Sequence, residues 1–577
     1  MEKWVVLVLL SFALKGLSQD TYDWLSIDCG SLTKTTTASG ILWQTDEKFT
    51  KAGINKLVST DNFNSLGVLN SLRAFTQQNK NCYNLPTTAS SRYFLRAAFY
   101  YGNYDGLSNP PTFDLEIDEN KWTTVVSSLV APVYYEVIYA SKGDNIFVCL
   151  AQTVANQFPF ISSLEAWPIT DTMYNHMDRN LAWLNSYRYN YGTKDLILGY
   201  PEDSYNRIWI PAIPSGMVAK IANTTTLSHT TDEQPPDTVI LDAIEAPGPI
   251  DSISLLFNMS KNNSLYYIEA YFTGMEIDDT RSFDIYVNNN YLITRSPEFE
   301  NCTGAWTTTN NHTGTLTTVE LRPTAESTLP PIISAIEVYT ASDPLVTTGT
   351  SQDDLDGLAA FVSKFEQLQG WSGEPCLPTR WQWLGCNSGG PLRVNSIYLS
   401  GYGLEGPLPD FRQMTGLETI DLSNNRLNGD IPDFLGSLPN LKQLVTGNPH
   451  LGHHKKENKA LTSVVAVILV VVAGVYLIKR RACKGKVTKP GLSGKLNSHE
   501  DNASTAHLRP NPPPVSPVSP VAPTIPLRRP NQQQNPPNPP AAASAGNTDP
   551  TAQASNHSRP SPRQEDIPIS GNATDIR

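Results

Sequence analysis

YFLRAAFY, residues 93–100, is a short and mostly apolar run of the kind that forms a buried β-strand. Comparable runs lie between residues 20 and 339, separated by Gly, Asn, Asp and Pro, and no long helical period interrupts them. The further runs that we predict to be strands are 113–117, 135–139, 146–150, 266–272, 283–287 and 332–339. The later runs echo the earlier ones. Residues 19–340 are therefore predicted to be mainly β and to form two tandem β-sandwich lobes, roughly 24–175 (the N-terminal lobe) and 195–340 (the C-terminal lobe).

A helix and then a repeat follow the β region. Residues 354–368 carry apolar side chains at spacings of three and four, which predicts an amphipathic helix with Asp353 or Asp354 as its N-cap and Gly370 ending it. Seven positions then return after 23 residues: Val394, Ile397, Leu399, Leu404, Gly406, Leu408 and Pro409 reappear as Leu417, Ile420, Leu422, Leu427, Gly429, Ile431 and Pro432. This spacing is typical of plant leucine-rich repeats, so residues 393–451 are predicted to form a short solenoid.

The solenoid requires additional elements to complete its hydrophobic core, because so few repeats are rarely stable by themselves. Asn425 is expected to bond backbone groups along the stack, whereas Tyr402 occupies the matching place in the first repeat. A third unit, 441–451, is irregular and short. We expect a helical cap and a Cys-paired junction, residues 350–392, to close the core, and the concave face to be a protein contact surface.

Two apolar segments set the predicted topology. Residues 460–478, ALTSVVAVILVVVAGVYLI, lack charge and are long enough to span a bilayer as a helix. Lys and Arg residues cluster after this segment, which places the C-terminal side in the cytosol by the positive-inside rule. Residues 1–18 have the pattern of a secretory signal peptide. The sequence therefore predicts a single-pass type I protein of the plasma membrane with an extracellular N-terminus.

Charge differs on the two sides of the predicted membrane. Residues 479–577 contain 13 Lys and Arg against 6 Asp and Glu, a net charge of +7, which leaves −19 for the remainder of a chain whose total is −12. An acidic ectodomain gains nothing from meeting nucleic acid, so no nucleic-acid partner is predicted.

Six of the seven cysteines precede the predicted span, in a compartment where disulfides persist, and their even number suits bridges. Cys376 and Cys386 are ten residues apart and are predicted to pair locally, while the other connectivities stay open. Acceptor sequences for N-glycosylation occur on the same side at Asn223, Asn258, Asn262, Asn301 and Asn311. Sugar at these sites would shield the region from 220 to 315.

The predicted cytosolic tail, residues 479–577, contains no protein-kinase motif. Thirteen prolines fall between residues 510 and 540, which predicts a disordered segment with local polyproline II structure. Pro523, Pro526 and Arg528 match an SH3-type ligand pattern, although an unstructured spacer explains the composition more simply.

Several motifs occur together in the β region and the junction. They are Asp28-Cys29-Gly30, YFLR at 93–96, YYGNYDG at 100–106, YPED at 200–203 with NRIW at 206–209, LPPII at 329–333 with AIEVY at 335–339, and WSGEPC at 371–376. In this order they resemble the malectin-like ectodomain of plant leucine-rich-repeat receptor kinases, the group that includes the symbiosis receptor kinase. The resemblance implies two malectin-like, jelly-roll-type lobes. Two departures stand out: Glu374 replaces the Asp of the family's Gly-Asp-Pro-Cys junction, and the kinase motifs are missing.

The resemblance also implies a lectin alternative, since malectin binds a glucose disaccharide through aromatic and polar loop residues. Here Tyr100, Tyr101 and Tyr104 would stack on sugar faces and Asp105 would bond hydroxyl groups. Tyr100 is in phase with the predicted strand, however, and Gly-Asn-Tyr-Asp-Gly is a turn signal. Both features favour core and hairpin roles for these four residues.

No catalytic or metal motif emerges. Asp114, Glu116 and Asp118 alternate along a predicted strand and imitate the start of an EF-hand loop, but Glu119 stands where that loop needs Gly. A solvated strand face is the favoured interpretation. The sequence also lacks His-Glu-x-x-His, Gly-x-Ser-x-Gly and a metal-spaced Cys or His set. We therefore predict no enzyme, no cofactor and no metal site.

Taken together, the sequence predicts a cell-surface receptor-like protein or co-receptor without kinase activity. Its ectodomain would bind a ligand, either a peptide or a carbohydrate, or a kinase-bearing partner receptor. The alternative function is a carbohydrate-binding protein that senses cell-wall sugars. An ectodomain glycosidase is least favoured, because paired catalytic carboxylates need a positioned cleft that the sequence does not reveal.

Overall fold

The computed structural model describes residues 24–62, 67–222, 224, 227–259, 264–277, 280–310 and 316–452. The predicted signal peptide (1–18), transmembrane helix (460–478) and cytosolic tail (479–577) lie outside the described residues. Within the described part, none of the helices has the length and apolar character that crossing a bilayer requires. The described chain is mainly β, as predicted.

The strands of the N-terminal lobe are short and closely spaced. They are β1 Leu25–Asp28, β2 Thr35–Thr36, β3 Leu42–Thr45, β4 Ile54–Leu57, β5 Ser71–Ala74, β6 Lys80–Pro86, β7 Arg92–Phe99, β8 Thr112–Ile117, β9 Asn120–Val126, β10 Val133–Ala140, β11 Asn145–Ala151, β12 Phe160–Ile161 and β13 Ser163–Ile169. Two 3₁₀ turns, Asp46–Lys48 and Thr60–Asn62, lie among them. The predicted runs coincide with β7, β8, β10 and β11, except that Tyr100 lies just beyond β7.

The strands from Trp183 onward continue this pattern. They are β14 Trp183–Tyr191, β15 Ile197–Leu198, β16 Ile208–Ala212, β17 Val218–Ile221, β18 Ser228–His229, β19 Asp242–Glu245, β20 Ile253–Asn258, β21 Leu265–Thr273, β22 Phe283–Val287, β23 Asn290–Arg295, β24 Asn301–Asn310, β25 Leu316–Pro323, β26 Ile332–Ile333 and β27 Ala335–Ala341. A short helix, α1 Asp237–Ile240, precedes β19.

One sheet runs through both lobes. Among the described residues it has thirteen strands: eleven follow the order β18-β24-β21-β27-β14-β10-β7-β13-β1-β3-β2, β16 also pairs with β14, and β15 pairs with β16. Strand β14 lies between the predicted lobe boundaries and pairs with both sides, since Val137 of β10 lies opposite Leu184 and Glu337 of β27 lies opposite Arg188. The lobes therefore share backbone hydrogen bonds.

Each lobe closes its core with a second, four-stranded sheet. These sheets have the orders β6-β11-β8-β9 and β20-β25-β22-β23. Strand β20 illustrates the pattern, because Ile253, Leu255 and Phe257 are buried while the residues between them are exposed. Apolar residues of the two facing sheets meet in one large hydrophobic cluster per lobe, and a smaller cluster around Trp209 and Cys302 also lies in the C-terminal lobe. Alternation of buried and exposed residues is what a strand with one face on a core requires.

The predicted cap is helix α2, Gln352–Lys364, followed by a 3₁₀ turn, Glu366–Leu368. The N-cap prediction was wrong: Ser351 holds that position, and Asp353 and Asp354 lie in the first turn. The Asp354 side chain is fully buried and accepts hydrogen bonds from Arg393 Nε at 2.8 Å and from the backbone N–H of Val394 at 2.8 Å. A buried carboxylate needs such charged partners, so this one fastens the helix to the first repeat instead of capping it.

The repeats stack as parallel strands. One sheet contains β28 Leu384–Cys386, β29 Val394–Tyr398, β31 Thr419–Asp421 and β33 Gln443–Val445, and a second contains β30 Glu405–Gly406, β32 Arg426–Gly429 and β34 His450–Leu451. A 3₁₀ turn, Asp433–Ser437, lies between β32 and β33. Asn425 Nδ2 donates to the Leu399 and Leu422 carbonyls at 2.7 and 3.0 Å, as predicted. Asn448 extends this ladder, because its Oδ1 accepts from Leu427 N at 3.1 Å.

A buried lysine joins the junction to the N-terminal lobe. Lys80 Nζ donates to the carbonyls of Glu374 at 3.0 Å and Leu377 at 2.6 Å, and it lies 3.0 Å from Glu116 Oε2. The side chain of Glu374 accepts from the backbone N–H groups of Thr350 and Cys376 at 3.2 and 3.1 Å. Glu374 thus ties the start of the cap to the cysteine junction.

Candidate functional site

A cleft of about 620 Å³ opens where the two lobes meet. Strands β9 and β10 form one wall, and β14, the end of β27 and Asn258 form the other. Strands β10 and β14 pair at Val137–Leu184 and Ile138–Trp183, and β14 bulges between Asn185 and Tyr187 where it pairs with β27. A bulge bends its strand and redirects side chains, so the cleft opens at this irregularity. We call it the interlobe cleft.

The floor of the interlobe cleft is a buried carboxylate. Glu136 Oε1 accepts from Arg96 Nε at 2.7 Å, and its Oε2 accepts from Arg188 and, at 2.7 Å, from Asn185 Nδ2. Burial alone would raise the pKa of Glu136, but the charges of Arg188 and Arg96 outweigh it and lower the pKa to about 2. Glu136 is therefore ionised at physiological pH and is unsuited to donate a proton as a general acid.

Arg188 links this charge network to the C-terminal lobe. Its Nε lies 2.6 Å from Glu337 Oε1, and another guanidinium nitrogen donates to Tyr339 Oη at 2.7 Å. Arg207 approaches the same Glu337 carboxylate at 3.7 Å and pairs with Asp203 at 2.8 Å. Charges of alternating sign thus cross the shared sheet beneath the cleft, and they hold the two walls in a fixed relation.

Aromatic residues form the sides of the cleft. Tyr135 Oη accepts from the backbone N–H of Val126 at 3.1 Å, and Tyr187 Oη donates to the carbonyl of Asn258 at 2.6 Å. Burial raises the pKa of Tyr134 to about 12 and also raises the pKa of Tyr135 and Tyr187. All three rings are therefore neutral, and two have a fixed hydroxyl.

The amide of Asn185 leaves one acceptor unused. Its Nδ2 bonds Glu136, but its buried Oδ1 has no hydrogen-bond partner among the described residues. A buried acceptor without a partner destabilises a protein by about 1–3 kcal/mol, so this amide is a locally weak point of the cleft wall. Neutral aromatic walls and the hydroxyl groups of Ser186 and Thr340 suit the binding of a ligand with hydroxyl or amide groups.

Comparison with known proteins places this architecture in a family. The model of the malectin-like domain matches residues 27–341, which is more than half of the chain. The chain belongs to the malectin-like domain family. The match covers both lobes and every wall of the interlobe cleft except Ser342 and Asp343.

Relatives with curated names include two plant receptor kinases. The probable LRR receptor-like serine/threonine-protein kinase MEE39 of Arabidopsis thaliana is 30% identical over 437 residues, which cover 72% of this chain and 48% of that protein. The probable LRR receptor-like kinase At1g05700 of the same plant is 33% identical over 424 residues, covering 69% and 48%. The chain spans about half the length of these relatives. Among solved structures, the ANX2 ectodomain from A. thaliana matches with a TM-score of 0.47 and 17% identity, covering 55% of this chain and 97% of that one.

The predicted sugar-contact residues of this malectin-like chain lie elsewhere, in and over the N-terminal core. Tyr101 is fully buried and Tyr100 nearly so, and Tyr104 packs against the same core. Tyr101 Oη donates to the exposed Asp105 at 2.5 Å, and Tyr100 Oη donates to the Asn62 carbonyl at 2.8 Å. None of the four residues lines the interlobe cleft. A sugar contact at these positions stays a prediction.

The three alternating carboxylates do not form a solvated strand face, and that interpretation was wrong. Glu116 and Asp118 are buried, and Asp114 pairs with Lys121 at 2.8 Å. Glu116 pairs with the buried Lys80 at 3.0 Å, and Asp118 accepts from Tyr139 Oη at 2.7 Å. Each carboxylate therefore has a cation or a hydroxyl donor of its own, as a buried or half-buried charge requires.

The cysteines form two disulfides within the described residues, not three. Cys376 pairs with Cys386 as predicted, and Cys82 pairs with Cys149, which lies opposite it in the β6–β11 register. The expectation that all six suit bridges was wrong, since Cys29 and Cys302 are free and buried. They belong to hydrophobic cores of different lobes, and a disulfide requires Cα atoms within about 7 Å.

Two of the five predicted glycosylation sites lie in the described chain. Asn258 ends β20, is exposed and lines the interlobe cleft. Asn301 begins β24, is half-buried, and its Nδ2 donates to Glu298 at 3.2 Å. Asn223, Asn262 and Asn311 lie outside the described residues, as do Pro523, Pro526 and Arg528 of the proposed SH3-type ligand.

Sequence reasoning missed the residues that build the cleft. Glu136 was part of a predicted strand, and a lone acidic residue in the apolar run YEVIY was the available signal for a buried ion pair. The run 183–191, WLNSYRYNY, alternates aromatic and polar residues, yet it was not among the predicted strands. Only the fold brings Asn185 and Tyr187 of this run opposite Tyr135 and Glu136.

Proposed function

We propose that the chain is a single-pass, cell-surface receptor-like protein or co-receptor whose malectin-like ectodomain binds its ligand in the interlobe cleft. The observation that carries this proposal is the cleft itself, with walls from both lobes and a lining of aromatic rings, hydroxyl groups and amides. Receptor-like kinases among the relatives support the receptor role. In this proposal residues 1–18 are the signal peptide, 460–478 the membrane span and 479–577 the cytosolic tail.

A contact surface for a kinase-bearing partner belongs to the same proposal. The repeat sheet exposes 48% of Tyr398 from β29, next to Asp421 in the parallel register of β31. Exposed aromatic side chains on rigid strands are common anchors of protein interfaces. The expected partner surface is therefore the concave sheet of the repeats, separate from the cleft.

A second candidate function is carbohydrate binding by the cleft. Tyr135 and Tyr187 offer neutral aromatic surface, and Thr340, Ser186 and Asn185 offer hydroxyl and amide groups. This combination is what a sugar ring needs, with a flat apolar contact and a few directed hydrogen bonds.

Photo-crosslinking from the cleft tests the proposal and separates the two ligand classes. A photoreactive side chain at Thr123, which lines the cleft, is introduced into the full-length protein on plant cells, and Tyr291, 58% exposed on β23, serves as the control position. A peptide adduct specific to position 123 supports the receptor for a peptide, and an oligosaccharide adduct supports the carbohydrate receptor. Equal labelling at both positions, or none at 123, contradicts ligand binding in the cleft.

A further inference from the structure

We propose that Asn258 carries an N-linked glycan whose first sugars lie against the rim of the interlobe cleft and restrict its mouth. The acceptor sequence is Asn258-Met259-Ser260, and Asn258 is both exposed and part of the cleft lining. The position of the glycan does not depend on the proposed ligand, whereas its effect on access rests on the proposed function.

The backbone of Asn258 is held beside the cleft. Its carbonyl accepts the Tyr187 hydroxyl at 2.6 Å, and Tyr187 also packs on Phe257 with ring centroids 5.3 Å apart. Because side chains alternate along a strand, burial of Phe257 in the core turns Asn258 to the opposite face. A glycan on Asn258 therefore starts at a fixed point on the cleft rim.

The surface around Asn258 suits a sugar chain. Leu256, two residues earlier on the same face, is 63% exposed, and Leu316, directly opposite Asn258 in β25, is 52% exposed. Two large aliphatic side chains in such positions form an exposed apolar patch beside the acceptor, and the first sugars of a glycan on Asn258 would cover it. The glycan thus explains why this strand pair exposes leucine around an acceptor asparagine.

The cleft offers matching polar groups. The acetamido N–H of N-acetylglucosamine is a donor, and the side-chain oxygens of Thr123, Ser186 and Thr340 in the cleft lining are acceptors. A cleft of about 620 Å³ accommodates a group the size of a drug molecule, which is comparable to two sugar rings. A large ligand must then displace these sugars, so the glycan favours small or extended ligands.

Release of the glycan from the folded protein tests the proposal. Full-length protein from plant membranes is treated with peptide N-glycosidase before and after denaturation in heavy-oxygen water, and each released site is read by mass spectrometry as labelled Asp. Tyr291→Thr creates a reference site at the exposed Asn289 in the same molecule. We expect release at Asn258 to be at least about tenfold slower than at Asn289 in the folded protein and equal after denaturation, because a packed glycan needs local opening.

Two outcomes overturn the proposal: an unmodified Asn258 in the mature protein, or release at the rate of the Asn289 reference. Tyr187→Phe keeps the ring but removes the bond to the Asn258 carbonyl, and it should raise the release rate at Asn258 alone. Ser260→Ala abolishes the acceptor sequence and should increase the adduct yield at position 123. If neither the protein with an intact acceptor sequence nor Ser260→Ala forms an adduct at position 123, the proposed function fails. The release rates still decide the position of the glycan.

Discussion

Arg188 and Glu337 lie opposite each other in the β14–β27 register and form a buried ion pair, with Nε and Oε1 2.6 Å apart. The same guanidinium binds Glu136 on the neighbouring strand β10. One side chain therefore compensates a carboxylate in each lobe, and the geometry of the interlobe cleft depends on it.

Removal of this arginine should destabilise both lobes together. Arg188→Met leaves Glu136 and Glu337 buried with fewer partners, and we expect the free energy of unfolding to fall by about 3–5 kcal/mol. Arg179→Met is the matched control, since Arg179 and Asp171 are 42% and 83% exposed and such a pair contributes less than about 1 kcal/mol. Denaturant unfolding of the two variants measures the difference. Equal losses would contradict the role assigned to Arg188.

Two buried glutamates should respond to pH in opposite directions. Burial and then the charge of Glu233 raise the pKa of Glu269 well above its ordinary value near 4.5, whereas Arg188 and Arg96 overcome burial and lower the pKa of Glu136 to about 2. A raised pKa gives stability that is present below about pH 4.5 and lost as the pH rises, and a lowered pKa gives stability that is present above about pH 4.5 and lost towards pH 2.

The expected result is that Glu269→Gln raises the melting temperature at pH 7.5 and gives little change at pH 4. Glu136→Gln should lower the melting temperature at pH 7.5, with a smaller effect as the pH approaches 2. Thermal unfolding between pH 2.5 and 8 checks both. If Glu269→Gln lowered the melting temperature at pH 7.5 as much as Glu136→Gln does, this result would contradict the prediction that the ionised, buried Glu269 carboxylate destabilises the protein.

Thiol labelling should identify two free cysteines in the described chain. Burial raises the pKa of the Cys29 thiol well above its usual range and that of Cys302 to about 12, so both are unreactive in the folded protein. Maleimide should modify them only after denaturation without a reductant, while the four paired cysteines stay unlabelled. Peptide mapping by mass spectrometry provides the count. A disulfide-linked peptide that contains Cys29 or Cys302 would refute this pairing scheme.

Lys80 should couple the cap to the N-terminal lobe. Lys80→Met removes two hydrogen bonds to the junction and leaves Glu116 buried without its cation, so we expect a loss of about 3–5 kcal/mol and faster proteolysis near residues 342–350. Adding Glu116→Gln should restore part of the stability, because it removes the uncompensated charge. The double-mutant cycle is read by denaturant unfolding. No recovery in the double variant would argue against the ion pair.

Asn448 should stabilise the last repeat. Its amide bonds the Leu427 N–H and the Leu422 carbonyl, as Asn425 bonds the preceding repeat. Asn448→Ala should reduce the free energy of unfolding by about 1–3 kcal/mol, since buried backbone groups lose their partners. Asn440→Ala is a milder change, because Asn440 is exposed and donates one bond to Thr415 O. A larger loss in the free energy of unfolding for Asn440→Ala than for Asn448→Ala would contradict this role of Asn448.

The strands and the repeats were predictable because their signals are local. YFLRAAFY became β7 with one residue's difference, and the period of 23 residues gave the parallel stacking of β29 on β31. Asn448 lies 23 residues after Asn425, at the repeat spacing, but it was missed because the third unit was interpreted as irregular: one extra residue places Leu444, not Gln443, opposite Ile420. The N-cap was wrong for a similar reason, since Asp354 serves a contact with Arg393, 39 residues away, that no local rule contains.

The sequence by itself determined the β class, the repeat period, the Cys376–Cys386 bridge and the malectin-like resemblance, because each depends on short local motifs or on a regular spacing along the chain. Tertiary structure alone decided that β14 joins both lobes into one sheet, that Glu116 and Asp118 are buried, and that Glu136, Asn185 and Asn258 surround one cleft. The reason is physical: the environment of a buried charge or a buried amide depends on partners that the fold brings from distant segments.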